Sequence, residues 1–152
     1  MSKRSAVHAT FTLERTYAAQ PERVFHAWSD TKAKARWFAP PAGYTQTPLK
    51  SDFRVGGKES ISSTPPGKEP HTFDATYWDI VPNERIVYVY EMHIGAARIS
   101  VSLATIEFKP AGSGTRLVLT EQGVFLDGYD DAGSRERGTR GLLDQLGAAL
   151  GG

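Results

Sequence analysis

Two side chains able to exchange a proton stand two residues apart, Glu91 and His93, in the run Arg85-Ile86-Val87-Tyr88-Val89-Tyr90-Glu91-Met92-His93. In a strand, residues i and i+2 share a face. On an enclosed face, a carboxylate beside an imidazole has the makings of a general acid–base pair. On an open face the same pair is the solvated side of a sheet. Asp74, Arg98 and Glu121 are further ionisable residues in strand-like segments that could project inward. An enzyme, such as a cyclase or hydrolase acting on an aromatic or polyketide-like substrate, would need at least two such groups to converge. None of them falls in a motif of fixed spacing, so no residue is assigned a catalytic role.

The aromatic residues point to binding. Phe73, Tyr77 and Trp78 lie in one strand-like segment and Tyr88 and Tyr90 in the next, where Tyr88, Tyr90 and Met92 share a parity with Ile86. Apolar walls bearing a few phenolic hydroxyls combine affinity with orientation for a small molecule, although the same residues also serve as core. The expected ligand-binding set is Phe73, Tyr77, Tyr88, Tyr90 and Met92, with Leu142 and Leu146 from the C-terminal segment.

Several chemistries lack support. The chain has no cysteine, which removes disulfides, thiolate metal sites and a Cys nucleophile together. His8, His26, His71 and His93 are far apart, with no pair at a spacing that zinc sites favour. Gly56-Gly57 is followed by Lys58-Glu59 rather than by the Lys-Ser/Thr and helix of a phosphate-binding loop, so it reads as a tight turn. Arg135, Arg137 and Arg140, with Glu136 among them, read as a solvated helix face. No metal or cofactor is expected.

The 152 residues carry 18 Lys plus Arg against 17 Asp plus Glu, a formal charge of +1, which argues against nucleic acid or an anionic membrane as partner. No run of 18 apolar residues could form a spanning helix, and the segment after Met1-Ser2-Lys3-Arg4 lacks the apolar core of a signal peptide. A cytoplasmic protein of one domain, residues 1–152, is the expectation. A homodimer is compatible with the sequence.

The elements that must position these residues follow from periodicity. Val7, Ala9, Phe11 and Leu13 alternate with polar residues and predict a strand from Val7 to Tyr17. Pro21 and Glu22 open a short helix containing Val24, Phe25, Ala27 and Trp28, and Asp30 caps a second one from Lys32 to Phe38. After a Pro- and Gly-rich loop, strands are predicted at 51–55, 58–63, 72–81, 85–93, 98–108 and 115–122, separated by Gly56-Gly57, Pro65-Pro66-Gly67, Pro82-Asn83-Glu84 and Pro110-Ala111-Gly112-Ser113-Gly114. Short connections imply an antiparallel meander. In 98–108 the apolar parity slips near Ala104-Thr105, which allows either a β-bulge there or a strand apolar on both faces. Leu142, Leu143, Leu146, Ala149 and Leu150 form one stripe of a helix that could start near Asp131. Gly133, Gly138, Gly141 and Gly147 weaken that helix, each by roughly 1 kcal/mol, so it must be held by packing on the sheet.

Strand, two short helices, six strands and a long helix is the order of the helix-grip fold, an α+β class in which a curved antiparallel sheet of about six to seven strands wraps a C-terminal helix. Five segments add to it: Pro21-Glu22-Arg23-Val24-Phe25, Trp37-Phe38-Ala39-Pro40, Asp52-Phe53-Arg54-Val55-Gly56-Gly57, Val81-Pro82-Asn83-Glu84-Arg85-Ile86 and Gly114-Thr115-Arg116-Leu117-Val118-Leu119-Thr120. In this order and spacing, the chain from about Thr10 to Leu150 resembles the START-like (SRPBCC, birch-pollen-allergen-like) superfamily, in the branch named after the activator of the heat-shock-protein-90 ATPase.

That resemblance implies a cavity between sheet and last helix, suited to a small apolar or amphipathic molecule, without implying a fixed catalytic set. The superfamily includes carriers, cyclases, stress-linked proteins and chaperone partners, so a chaperone partner also follows from the branch name alone. The chain departs from the family in one place. Members commonly carry Gly-Trp in the last helix, whereas Gly138 is followed here by Thr139. Loss of an indole there implies either extra room or admitted water beside the pocket.

Overall fold

Alternating strands joined by tight turns build a single antiparallel sheet in the computed structural model, which describes residues 4–151. The elements are β1 (Ala6–Tyr17), α1 (Pro21–Ser29), α2 (Thr31–Ala35), β2 (Thr45–Gln46), β3 (Lys50–Ser51), β4 (Lys58–Thr64), β5 (His71–Val81), β6 (Arg85–Ile94), β7 (Ala97–Ala111), β8 (Gly114–Leu126) and α3 (Ala132–Ala149). The strand order is β1-β8-β7-β6-β5-β4-β2, with β3 also paired to β4. The β1–β8 and β4–β2 neighbourhoods depart from sequence order, and α1, α2 and a loop carrying β2 and β3 fill the chain between β1 and β4. The architecture is the α+β helix grip. Among the described residues no helix is long and apolar enough to cross a membrane.

Side-chain parity decides what each face of the sheet holds. Tyr88 and Tyr90 of β6, Phe73, Ala75 and Tyr77 of β5, Ala104, Ile106 and Phe108 of β7, and Leu117 and Leu119 of β8 are buried on the concave face. The slip read near Ala104-Thr105 is resolved without a bulge there, because β7 pairs with β8 without interruption from Ser100 to Ala111. Val101 and Leu103 turn outward, so this strand is apolar on both faces. The β6–β7 irregularity falls instead between Met92 and His93, opposite Ile99, which is buried. A second irregularity, between Tyr77 and Asp79, leaves Trp78 outside the ladder and 65% exposed. There Gly56 N–H donates to the Tyr77 carbonyl at 2.8 Å and Tyr77 N–H donates to Gly57 at 3.0 Å. The strand predicted at 51–55 therefore shortens to Lys50–Ser51, and the rest is a turn laid against β5.

The helices close the concave side. Pro21 starts α1, which buries Val24, Phe25, Ala27 and Trp28. The Asp30 carboxylate caps α2 by accepting from Ala33 N–H at 2.9 Å. Trp37 follows and donates its indole N–H to the Ala27 carbonyl at 2.9 Å, with its ring edge-on to Trp28 at 4.8 Å. At the start of α3 the Asp131 carboxylate accepts from Ser134 N–H at 2.8 Å.

Three anchors hold α3 despite its glycines. Leu143, Leu146 and Leu150 are buried. The Tyr17 hydroxyl donates to the Leu143 carbonyl at 2.7 Å, and burial pushes the phenol up to about 12. Gln145 donates to the Trp37 carbonyl at 2.7 Å, tying the helix to the loop after α2. Gly147 permits the close approach to β1, since a Cβ there would stand 3.2 Å from the Tyr17 ring.

Candidate functional site

Between the concave face and α3 lies a recess of about 650 Å3. Its apolar walls are built by Phe73, Tyr88, Tyr90, Met92 and Leu119 from the sheet, Trp28, Trp37 and Phe38 from the helical insert, and Leu142 and Leu143 from α3. Pro40, Pro41, Tyr44 and His71 add a rim from the neighbouring loop and strand end. Gly138 and Gly141 face the same space, and a Cβ built on either meets nothing within 4 Å. At these two inward positions the helix contributes no side chain. Thr139 also lines the recess, with its hydroxyl turned back to the Arg135 carbonyl at 2.9 Å.

Of the residues expected to bind a ligand, Phe73, Tyr88, Tyr90, Met92 and Leu142 stand on this wall. Tyr77 and Leu146 do not. Tyr77 is drawn behind the wall because its hydroxyl donates to Glu59 at 2.6 Å. Leu146 packs in the core one helical turn beyond Leu142 and Leu143 and is fully buried.

Under the N-terminal end of α3 the recess becomes polar. Glu121 is 5% exposed, and one of its oxygens accepts the Tyr90 hydroxyl at 2.8 Å. Arg135 donates to the Tyr90 hydroxyl at 3.0 Å, to Ser100 at 2.8 Å and to Asp130 at 3.2 Å. The guanidinium also lies 5.6 Å from the Tyr90 ring centre and 5.2 Å from that of Phe125. Burial raises the Glu121 carboxyl above its ordinary value, and the Tyr90 hydrogen bond and the Arg135 charge only partly oppose this. Burial and the neighbouring Glu121 likewise push the Tyr90 phenol up, so it remains a hydrogen-bond donor. Arg135 is no solvated helix residue, as its position in a charged run implied. It shares the inward stripe of Gly138, Thr139 and Leu142, and that i, i+3, i+4, i+7 spacing was the available signal.

A second polar group supports the opposite end. Lys34 and Glu59 form an ion pair at 2.6 Å with side chains 2% and 1% exposed. Glu59 also accepts from Tyr77 at 2.6 Å and from Ser51 at 2.9 Å. The ammonium lies 4.7 Å from the centre of the Phe38 ring and 5.3 Å from that of Trp28, both of them wall residues. Neither residue was singled out in the sequence. Glu59 does share the parity of buried Ile61 in β4, which places it inward.

Glu91 and His93 lie on the other face of β6 from Tyr88 and Tyr90. They are 3.8 Å apart, and exposed Arg98 lies 3.6 Å from Glu91. Of Asp74, Glu91, His93, Arg98 and Glu121, the ionisable residues that could have converged on one face, only Glu121 reaches the recess. On that outer face Asp74, Glu91 and His93 bring one ligand atom each within 4.8 Å of one another, a cross-strand grouping that spacing along the chain does not reveal.

With this geometry in place, relatives can be set beside it. The family profile described as "Activator of Hsp90 ATPase homolog 1-like protein" matches residues 18–151. The chain belongs to that family. A solved structure from Rhizobium leguminosarum is similar at 47% identity over 98% of each chain, with a TM-score of 0.93. The Mll3558 protein of Rhizobium loti is 48% identical over 95% of this chain and 99% of its own, with a TM-score of 0.88. Protein CV1439 of Chromobacterium violaceum is 31% identical over 91% and 94%, with a TM-score of 0.79. No curated protein matches the sequence. In this family member, the helix-grip scaffold holds an aromatic recess that is polar at one end.

Proposed function

We propose that this protein binds a small apolar or amphipathic molecule in the recess between the sheet and α3. The observation that carries the reading is space: about 650 Å3 is left open among aromatic and aliphatic walls, within the roughly 300–1,000 Å3 usual for small-molecule sites. A helix needed only as a cover would gain stability from side chains at Gly138 and Gly141, where a Cβ meets nothing. The fold of the family supports the same reading, since helix-grip domains often hold apolar ligands.

The test is native mass spectrometry and NMR titration against a panel of fatty acids, aromatic amines, flavonoids and polyketide-like phenols. A one-to-one complex is expected, with shifts concentrated at Phe38, Tyr88, Met92 and Leu142. Gly141→Leu, which places a side chain in the recess, weakens that complex about tenfold or more, whereas Trp78→Ala on the outer face leaves it unchanged. Saturating shifts on the outer face with none in the recess would overturn the assignment.

A further inference from the structure

We infer that the ligand of this recess is an apolar body carrying an ammonium group, and that Glu121 receives that group. The inference rests on the binding role proposed above and deepens it. The ionisable residues lining the recess are Tyr44, His71, Tyr88, Tyr90, Glu121, Asp130 and Arg135. Two carboxyls, Glu121 and Asp130, stand there beside a single guanidinium, Arg135.

The positive charge is already engaged. Arg135 donates to Tyr90, Ser100 and Asp130 and lies over two aromatic rings. An anionic ligand head would have to displace Asp130 and then face Glu121 at close range, a like-charge contact in a poorly solvated place.

Glu121 has the opposite need. One oxygen accepts the Tyr90 hydroxyl, and the Ser102 hydroxyl beside the carboxylate acts as a second donor that opposes the rise in its pKa. The nearest approach of Arg135 to this carboxylate is 3.8 Å, on the oxygen that Tyr90 already occupies. A carboxylate 5% exposed that lines the recess, its burial only partly offset by Tyr90, Arg135 and Ser102, favours a charged donor from the ligand. An ammonium supplies both the donor and the missing charge. The faces of Phe73, Tyr88 and Tyr90 on the same wall add attraction for a cation. Burial also leaves Glu121 reluctant to ionise alone, so pairing with an ammonium favours its charged form and makes the binding of amines strengthen with pH while the amine remains protonated.

A matched series isolates the head group: 2-(1-naphthyl)ethylamine, 2-(1-naphthyl)ethanol and 1-naphthylacetate, titrated calorimetrically at pH 7 and low salt. The amine is expected to bind about tenfold or more tighter than the acid, with the alcohol between them. Glu121→Gln keeps an acceptor for Tyr90 and is expected to bring the amine down to the affinity of the alcohol while changing the alcohol by less than about threefold. Naphthyl binding without preference for the amine, or an amine affinity untouched by Glu121→Gln, overturns this inference and leaves the recess as a general apolar site. Binding of none of the three overturns the recess reading as well. Should the variant fail to fold, the amine-to-acid ratio of the unaltered protein decides alone.

Discussion

Replacing Glu59 by Gln strands a buried cation. Lys34 and Glu59 meet at 2.6 Å with side chains 2% and 1% exposed, and no other carboxylate is paired with Lys34 among the described residues. Removing one member of such a pair costs about 3–5 kcal/mol, because the remaining charge has lost both water and partner. For a domain of this size about 2–4 °C of melting temperature goes with each kcal/mol. Glu59→Gln is therefore expected to lower Tm by roughly 6–20 °C, and Lys34→Met by a comparable amount. The two together should recover most of the loss, since an apolar chain then lies over Trp28 and Phe38 and the amide still accepts from Tyr77. The surface pair Arg54–Asp52, at 69% and 55% exposed, is the control and should change stability by no more than about 1 kcal/mol when broken. Urea unfolding of the four proteins of the double-mutant cycle measures the coupling directly. Singles that cost no more than the surface control, or a double variant as unstable as the sum of the singles, would refute the argument that this pair is dry and mutually dependent.

Other perturbations give separate readings. Gly138→Ala and Gly141→Ala should each stabilise the protein by about 0.5–1 kcal/mol in urea unfolding, because a Cβ meets nothing at either position. Gly147→Ala should not, since its Cβ would press on the Tyr17 ring at 3.2 Å. Tyr17→Phe removes the hydrogen bond to Leu143 and should cost about 0.5–1.5 kcal/mol. Glu121 carries a raised folded-state pKa, so the folded chain binds more protons than the unfolded one as pH climbs from the ordinary 4.5. Ligand-free protein should lose stability relative to Glu121→Gln across that rise, and the two should converge below it. Parallel urea curves from pH 4 to pH 7 check the sign.

The strands were legible because alternation and turn residues are local. Tyr88, Tyr90 and Met92 share a parity with Ile86, and that parity alone put three of the wall residues on one face. The same rule separated Glu91 and His93 from them, without saying which face was concave. Parity left two readings of 98–108 open, a bulge or a strand apolar on both faces, and the uninterrupted pairing of β7 with β8, with Val101 and Leu103 turned outward, decides for the second. Tyr77 was grouped with the wall because its parity and type fit. The hydroxyl that pulls it to Glu59 depends on a strand pairing outside its own segment.

What the sequence determined by itself is the ladder of strands, the start of α1 at Pro21, the capped start of α2 at Asp30, and the inward leucine stripe. Each depends on residues within a few positions of one another, so local geometry suffices. The tertiary structure decided the chemistry of the interior. Lys34 reaches Glu59 across 25 positions, and Tyr90 reaches Glu121 across 31. A charged residue in isolation is most stable in water, and only the closing of the sheet over α2 and α3 supplies the partners that let these groups be buried. The glycines that looked like weakness in a helix became the opening of the recess, because only the sheet opposite Gly138 and Gly141 reveals that nothing fills the space beside them.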